Sequence, residues 1–148
     1  MSKLKLATTL AFCVLLTPAF AQSLAEREAR RIVDNTIQGY VGSYAGDCNV
    51  AVKIDWSTFK DGDAKALVQK SKSPAEFCKF ALDAVGQVCR KSSDAKKALQ
   101  SNVKSVTCKQ ASPSTVTLEN GELVYGMDFN GQATDARDKV REFLMEKL

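Results

Sequence analysis

The chain of 148 residues contains no histidine. Histidine is the commonest general acid–base and the usual partner that activates a serine or cysteine nucleophile. Its absence removes those arrangements and leaves any metal site to thiolates and carboxylates. No Cys-x-x-Cys occurs, and the spacings of 30, 11 and 19 among Cys48, Cys78, Cys89 and Cys108 fit no compact zinc pattern. Beyond the first 21 residues no segment is long and apolar enough to span a bilayer, and no repeat or low-complexity tract appears. Aromatic and basic residues are not interleaved, so nucleic acid is not an expected partner. No cofactor or metal is expected.

What is present begins with an export signal. Lys3 and Lys5 precede an apolar run from Leu6 to Leu16, and Ala19-Phe20-Ala21 supplies a small-x-small cleavage pattern. Cys13 lies inside that run, with bulky Phe12 before it where a lipoprotein site wants a small residue. Residues 1–21 therefore read as a cleaved signal peptide. The expected destination is the periplasm, with the extracellular medium as the alternative. Residues 22–148 are 127 in number, one ordinary domain. They carry 19 basic and 17 acidic residues, nearly neutral overall. The charge is uneven, at −1 over 22–59, +6 over 60–109 and −3 over 110–148.

Ser23-Leu24-Ala25-Glu26 has capping-box spacing and opens a helix with Ala29, Ile32, Val33, Thr36, Ile37 and Tyr40 on one face. Gly39, Gly42 and Gly46 predict its end and a flexible loop. Cys48, Val50, Val52, Ile54 and Trp56 alternate with polar residues as in a half-buried strand. Ser57 to Gly62 turn the chain into a short helix over 63–70. Ser73-Pro74-Ala75-Glu76 is a second capping box and predicts a helix to about Arg90. Another helix follows through Ala95 and Leu99. Strands are predicted from Val103 and over Val116–Leu118 and Leu123–Phe129. Asn120-Gly121 forms the turn that sets Glu119 opposite Glu122. A final helix covers 133–147.

These elements predict an α+β domain: about four strands in a mostly antiparallel sheet with a C-terminal meander, helices packed on one face, and two disulfides. Four cysteines allow three pairings. Cys78 and Cys89 are eleven residues apart on one helix, about 16 Å along its axis, too far for a bond that wants Cα atoms within about 7 Å. The preferred pairing is Cys48–Cys78 with Cys89–Cys108, each link tying one helix end to a strand. Cys48–Cys89 with Cys78–Cys108 remains open.

Two candidate sites compete. Arg90, Lys91, Lys96, Lys97, Lys104 and Lys109 face only Asp94 in their stretch of chain, a local excess that suits an anionic partner. Tyr44, beside the glycine-rich loop, is the aromatic expected to be exposed with them; Trp56 shares the core-facing parity. The other candidate is a carboxylate group, Asp55, Asp61 and Asp63, around the turn after the first strand, which a small hydrolase could use. The leading expectation is a non-enzymatic exported domain that binds a protein or envelope component, of inhibitor, immunity or accessory type. The alternative is a carboxylate-dependent hydrolase.

Overall fold

The computed structural model describes residues 23–70 and 72–148. The expected signal peptide and Cys13 lie outside the described residues. The elements run α1 (Leu24–Tyr40), β1 (Ala51–Asp55), α2 (Asp63–Gln69), α3 (Pro74–Lys91), α4 (Ser93–Asn102), β2 (Ser105–Gln110), β3 (Thr115–Glu119), β4 (Glu122–Met127) and α5 (Asp135–Lys147). The class is α+β, and no described helix is long and apolar enough to cross a membrane.

The helix starts follow from local chemistry. Ser23 Oγ accepts the Glu26 N–H, Ser73 Oγ accepts that of Ala75 with Pro74 at the first position, and Ser92 Oγ accepts that of Ala95. Each hydroxyl satisfies one of the orphan donors of a first helical turn. The β3–β4 hairpin turns at Asn120 and Gly121, both at positive φ, in the register expected: Leu118 opposite Leu123, Val116 opposite Tyr125, Glu119 opposite Glu122.

The sheet order is β1-β2-β4-β3, with β1–β2 and β2–β4 parallel and only β3–β4 antiparallel. This corrects the expected mostly antiparallel sheet and its meander. Alternation of apolar residues fixes which face is buried and is indifferent to strand direction. Three helices separate β1 from β2, enough chain for a parallel crossover. Residues 111–114 then carry the chain past the next position, so that β3 takes the edge and β4 enters beside β2.

Val52, Ile54, Val106, Cys108, Leu123, Tyr125 and Met127 form the buried face, covered by α1, α3 and α5. The alternate residues, Lys53, Asp55, Lys109, Glu122 and Val124 among them, line an open depression on the other side around buried Thr107.

Between α1 and β1 the expected flexible loop is instead ordered. A π-helical turn, Val41–Ala45, leads into a 3-10 turn, Gly46–Cys48, and Asn49 adopts the left-handed conformation before β1 begins. Ala45 and Cys48 are fully buried. Gly86 of α3 makes this possible, because a Cβ there would meet the Tyr44 carbonyl oxygen at 1.8 Å. Cys48 thus faces the core, but from a turn and not from the strand.

Among the described residues one disulfide is present, Cys78–Cys108, with its Cα atoms 5.9 Å apart. Cys48 and Cys89 are thiols, both buried. The preferred pairing of Cys48 with Cys78 and Cys89 with Cys108 is therefore corrected. A helix that returns between two parallel strands runs antiparallel to them. The start of α3 then lies over the later part of β2, where Cys108 sits, and its end lies over the approach to β1, where Cys48 sits.

Candidate functional site

The three carboxylates of the hydrolase reading do not line one cavity. Asp55 faces the open side of the sheet and accepts from the Ser57 backbone N–H and hydroxyl. Asp61 is exposed, 3.8 Å from Arg30 Nη2. Asp63 accepts the Lys60 N–H and lines a cleft of about 320 Å³ between α2 and the loops after β2 and β4. Asp128 lines the same cleft, and its carboxylate is likewise held by a turn, accepting from the Asn130 N–H and the Ser112 hydroxyl. Asp55, Asp63 and Asp128 are turn-closing acids, each accepting a backbone N–H of its own segment, whereas Asp61 faces Arg30 of α1. Among the described residues no group of three or more Cys, Asp or Glu side chains could hold a metal ion.

The open face of the sheet is charged but neutralises itself. Lys53 Nζ lies 3.0 Å from Glu122 Oε1, and the Thr107 hydroxyl donates to the same oxygen. Those hydrogen bonds, Thr107 first and then Lys53, hold the Glu122 carboxyl below the usual carboxylate range. They also relieve the like-charge register of Glu119 and Glu122. Lys109, counted with the basic stretch in sequence, lies on this face opposite Asp55 in the β1–β2 register. It therefore leaves the basic group.

The remaining cations gather where α3 hands over to α4. The hand-over is tight because Ser92 is extended, ends one helix and caps the next. A depression there is lined by Asp47, Cys89, Arg90, Ser92, Ser93 and Lys96. Arg90 is exposed, and its guanidinium donates to the Tyr44 carbonyl at 2.9 Å, which fixes it against the π-helical turn. Lys97 projects from the next position of α4 and is exposed. Lys104 Nζ bonds the Gln100 carbonyl at the far end of α4. Lys91 lies on the other flank of α3, its Nζ 3.6 Å from Met145 Sδ, beside an apolar groove with Leu144 and Leu148. Among the described residues none of these five cations forms an ion pair. Asp94 occupies the first turn of α4, where it complements the positive end of the helix dipole.

Tyr44 is placed differently from the sequence expectation, whereas Trp56 packs against the core as its parity suggests. Tyr44 is half-buried, its ring edge-on to Tyr40 at 5.9 Å, and contributes its backbone carbonyl to the basic corner. Trp56 is also half-buried. Its Nε1 donates to Asp34, and the Arg30 guanidinium stacks 5.1 Å from its ring centre. Burial raises the Asp34 carboxyl pKa, against the opposing pull of Trp56 and Arg30.

Sequence reasoning missed two polar arrangements, the first of them buried and the second half-buried. Glu26 is 1 % exposed; its carboxylate accepts from Arg30 Nε at 3.0 Å and from the Ala64 and Lys65 N–H groups at 3.3 and 3.2 Å. It ties α1 to the first turn of α2. Glu76 accepts from the Tyr40 hydroxyl and from Lys79 Nζ. The signal was available in part, since Glu26 falls on the same helical stripe as Ala29, Val33 and Ile37.

Comparison with protein-family models, with curated proteins and with solved structures finds no match. The chemistry of the chain itself therefore carries the functional reading.

Proposed function

We propose that this chain is an exported, non-enzymatic domain that binds an anionic protein or envelope component through the corner where α3 meets α4. The observation that carries this reading is the contrast between two charged surfaces. The open sheet face pairs Lys53 with Glu122 and sets Asp55 beside Lys109. The corner presents Arg90, Lys96 and Lys97, with Lys91 and Lys104 on its flanks, and none has a carboxylate in ion-pair reach among the described residues. Unpaired surface cations attract and steer an anionic partner, whereas a self-neutralised surface does not.

Export rests on the leader pattern of residues 1–21 and on cysteine chemistry. A structural disulfide between Cys78 and Cys108 suits an oxidising compartment. The periplasm is the proposed site of action. The rigidity needed to hold the corner in place comes from α3, clamped to β2 at Cys78 and packed against the Val41–Ala45 turn at Gly86.

The test is capture from envelope extract by the immobilised, non-reduced protein across a series of salt concentrations. A stoichiometric partner that elutes with salt is expected. The triple variant Arg90→Glu/Lys96→Glu/Lys97→Glu loses it, while Lys53→Glu retains it.

A further inference from the structure

We propose that Cys48 and Cys89 are a second disulfide-forming pair, whose bond fastens the Gly46–Cys48 turn to the last turn of α3. The inference concerns the covalent state of the domain and does not depend on the binding reading.

Cys48 has 0 % and Cys89 2 % of its surface exposed, and both belong to the same core cluster. The Cys48 Sγ lies 3.8 Å from the carbonyl oxygen of Val85. Val85 is one turn before Cys89 on α3, so the two side chains project from the same stripe of the helix. The Cys89 side chain is near enough to the Cys48 thiol to influence its ionisation. Burial, followed by the neighbouring Cys89 side chain, pushes the Cys48 pKa up to about 12, so this thiol is a poor nucleophile once the turn has closed. The other two cysteines are already joined, which leaves each of these as the other's remaining partner among the described residues.

The bond forms by thiol–disulfide exchange with a small disulfide or a disulfide-carrying protein. One cysteine, as thiolate, attacks the donor disulfide, expels one donor thiolate and becomes a mixed disulfide. The second cysteine attacks that mixed disulfide at the first cysteine's sulfur and expels the other donor thiolate. Two protons leave the cysteines, two electrons reduce the donor to two thiols, and one S–S bond joins Cys48 to Cys89. Because both sulfurs are enclosed, the exchange takes place before the Gly46–Cys48 turn packs on α3, or when it opens.

The cross-link would act where the basic corner is built. Asp47 lies on the fastened turn and Tyr44 on the turn that runs directly into it, and the Tyr44 carbonyl positions Arg90. Fixing that segment to Cys89 holds Arg90 and Asp47 in one arrangement.

The test is to refold the full chain from reduced denaturant in a redox buffer of reduced and oxidised glutathione. It is then alkylated with iodoacetamide in guanidinium and its peptides are mapped without reduction. The expected result is a Cys48–Cys89 peptide beside the Cys78–Cys108 peptide, with neither pair alkylated. Alkylated Cys48 and Cys89 beside an intact Cys78–Cys108 link would overturn the proposal, as would any link from Cys48 to Cys78. In a Cys78→Ala/Cys108→Ala variant the oxidised form is expected to show a higher urea midpoint than the reduced form, and an unchanged midpoint contradicts the brace. The peptide map decides alone if that variant does not fold.

Discussion

Gly86 of α3 lies so close to Tyr44 that a Cβ at position 86 would reach the Tyr44 carbonyl oxygen at 1.8 Å and its carbon at 2.9 Å. Neither atom is the end of a flexible side chain, so a larger residue must displace the whole Val41–Ala45 turn. Gly86→Ala is expected to cost about 1–3 kcal/mol despite its better helix propensity. It should also loosen the Arg90–Tyr44 hydrogen bond. Urea denaturation of the variant checks the first outcome, and a helix-propensity gain with no loss would contradict it.

Glu26 supplies a second test of tertiary polar packing. Its enclosed carboxylate holds Arg30 and two backbone N–H groups of α2. Glu26→Ala removes the enclosed carboxylate that the Arg30 guanidinium and the Ala64 and Lys65 N–H groups share. The expected loss is about 3 kcal/mol. Glu26→Gln, which keeps one acceptor, should lose less. Equal, small losses in both variants, measured by chemical denaturation, would show that the carboxylate is not needed.

Acid should unfold the domain partly through Glu76. Burial alone would raise this carboxyl, but the hydrogen bonds from Lys79 and then Tyr40 outweigh it and hold its pKa below the ordinary 4.5. A folded-state pKa below the unfolded one means stability that is fully present above the unfolded value. That stability is lost as pH falls through the lowered folded value. Glu76→Gln should therefore flatten the stability–pH curve below about pH 4.5 and leave the curve's shape near pH 7 unchanged. Denaturation midpoints from pH 2 to 7 read this directly. The Tyr40 hydroxyl, whose pKa is pushed up to about 12 chiefly by the same hydrogen bond, should return toward an ordinary phenol in the variant.

The Cys78–Cys108 bond spans 30 residues of chain. Chain-entropy arguments assign a loop of that length about 3–4 kcal/mol. Cys78→Ala/Cys108→Ala is expected to lose that much without changing the circular-dichroism signature of the folded state. A loss below about 1 kcal/mol would mean the bond only decorates an already rigid contact.

Much of the fold was legible because local chemistry decided it. The Ser73-Pro74 start of α3, the Asn120-Gly121 hairpin and the register from Leu118–Leu123 to Val116–Tyr125 are set by neighbours in sequence. What was not legible depended on partners distant in the chain. Ser23 and Ser73 cap their helices through their hydroxyls, yet Glu26 and Glu76 turn away from the capping boxes to Ala64, Arg30, Tyr40 and Lys79. Gly39 and Gly42 suggested a loose loop, although neither has a close neighbour that demands glycine. The disulfide followed the direction of β2, which alternation of Val106 and Cys108 cannot report. The same blindness affected the site, since Lys109 adjoins the other cations in sequence but points to the opposite side of the sheet.

We propose that the unpaired cations of the α3–α4 corner hold the anionic partner. Each such cation within about 4 Å of an anion in water contributes ~1 kcal/mol, so reversing three removes more than the roughly 1.4 kcal/mol of a tenfold change in affinity. The decisive measurement is the amount of partner captured from envelope extract by the native protein and by Arg90→Glu/Lys96→Glu/Lys97→Glu, at equal loading and rising salt. The account predicts salt-sensitive, stoichiometric capture by the native protein and at least a tenfold loss in the variant. Equal capture by both proteins, or no stoichiometric partner at any salt, would contradict it.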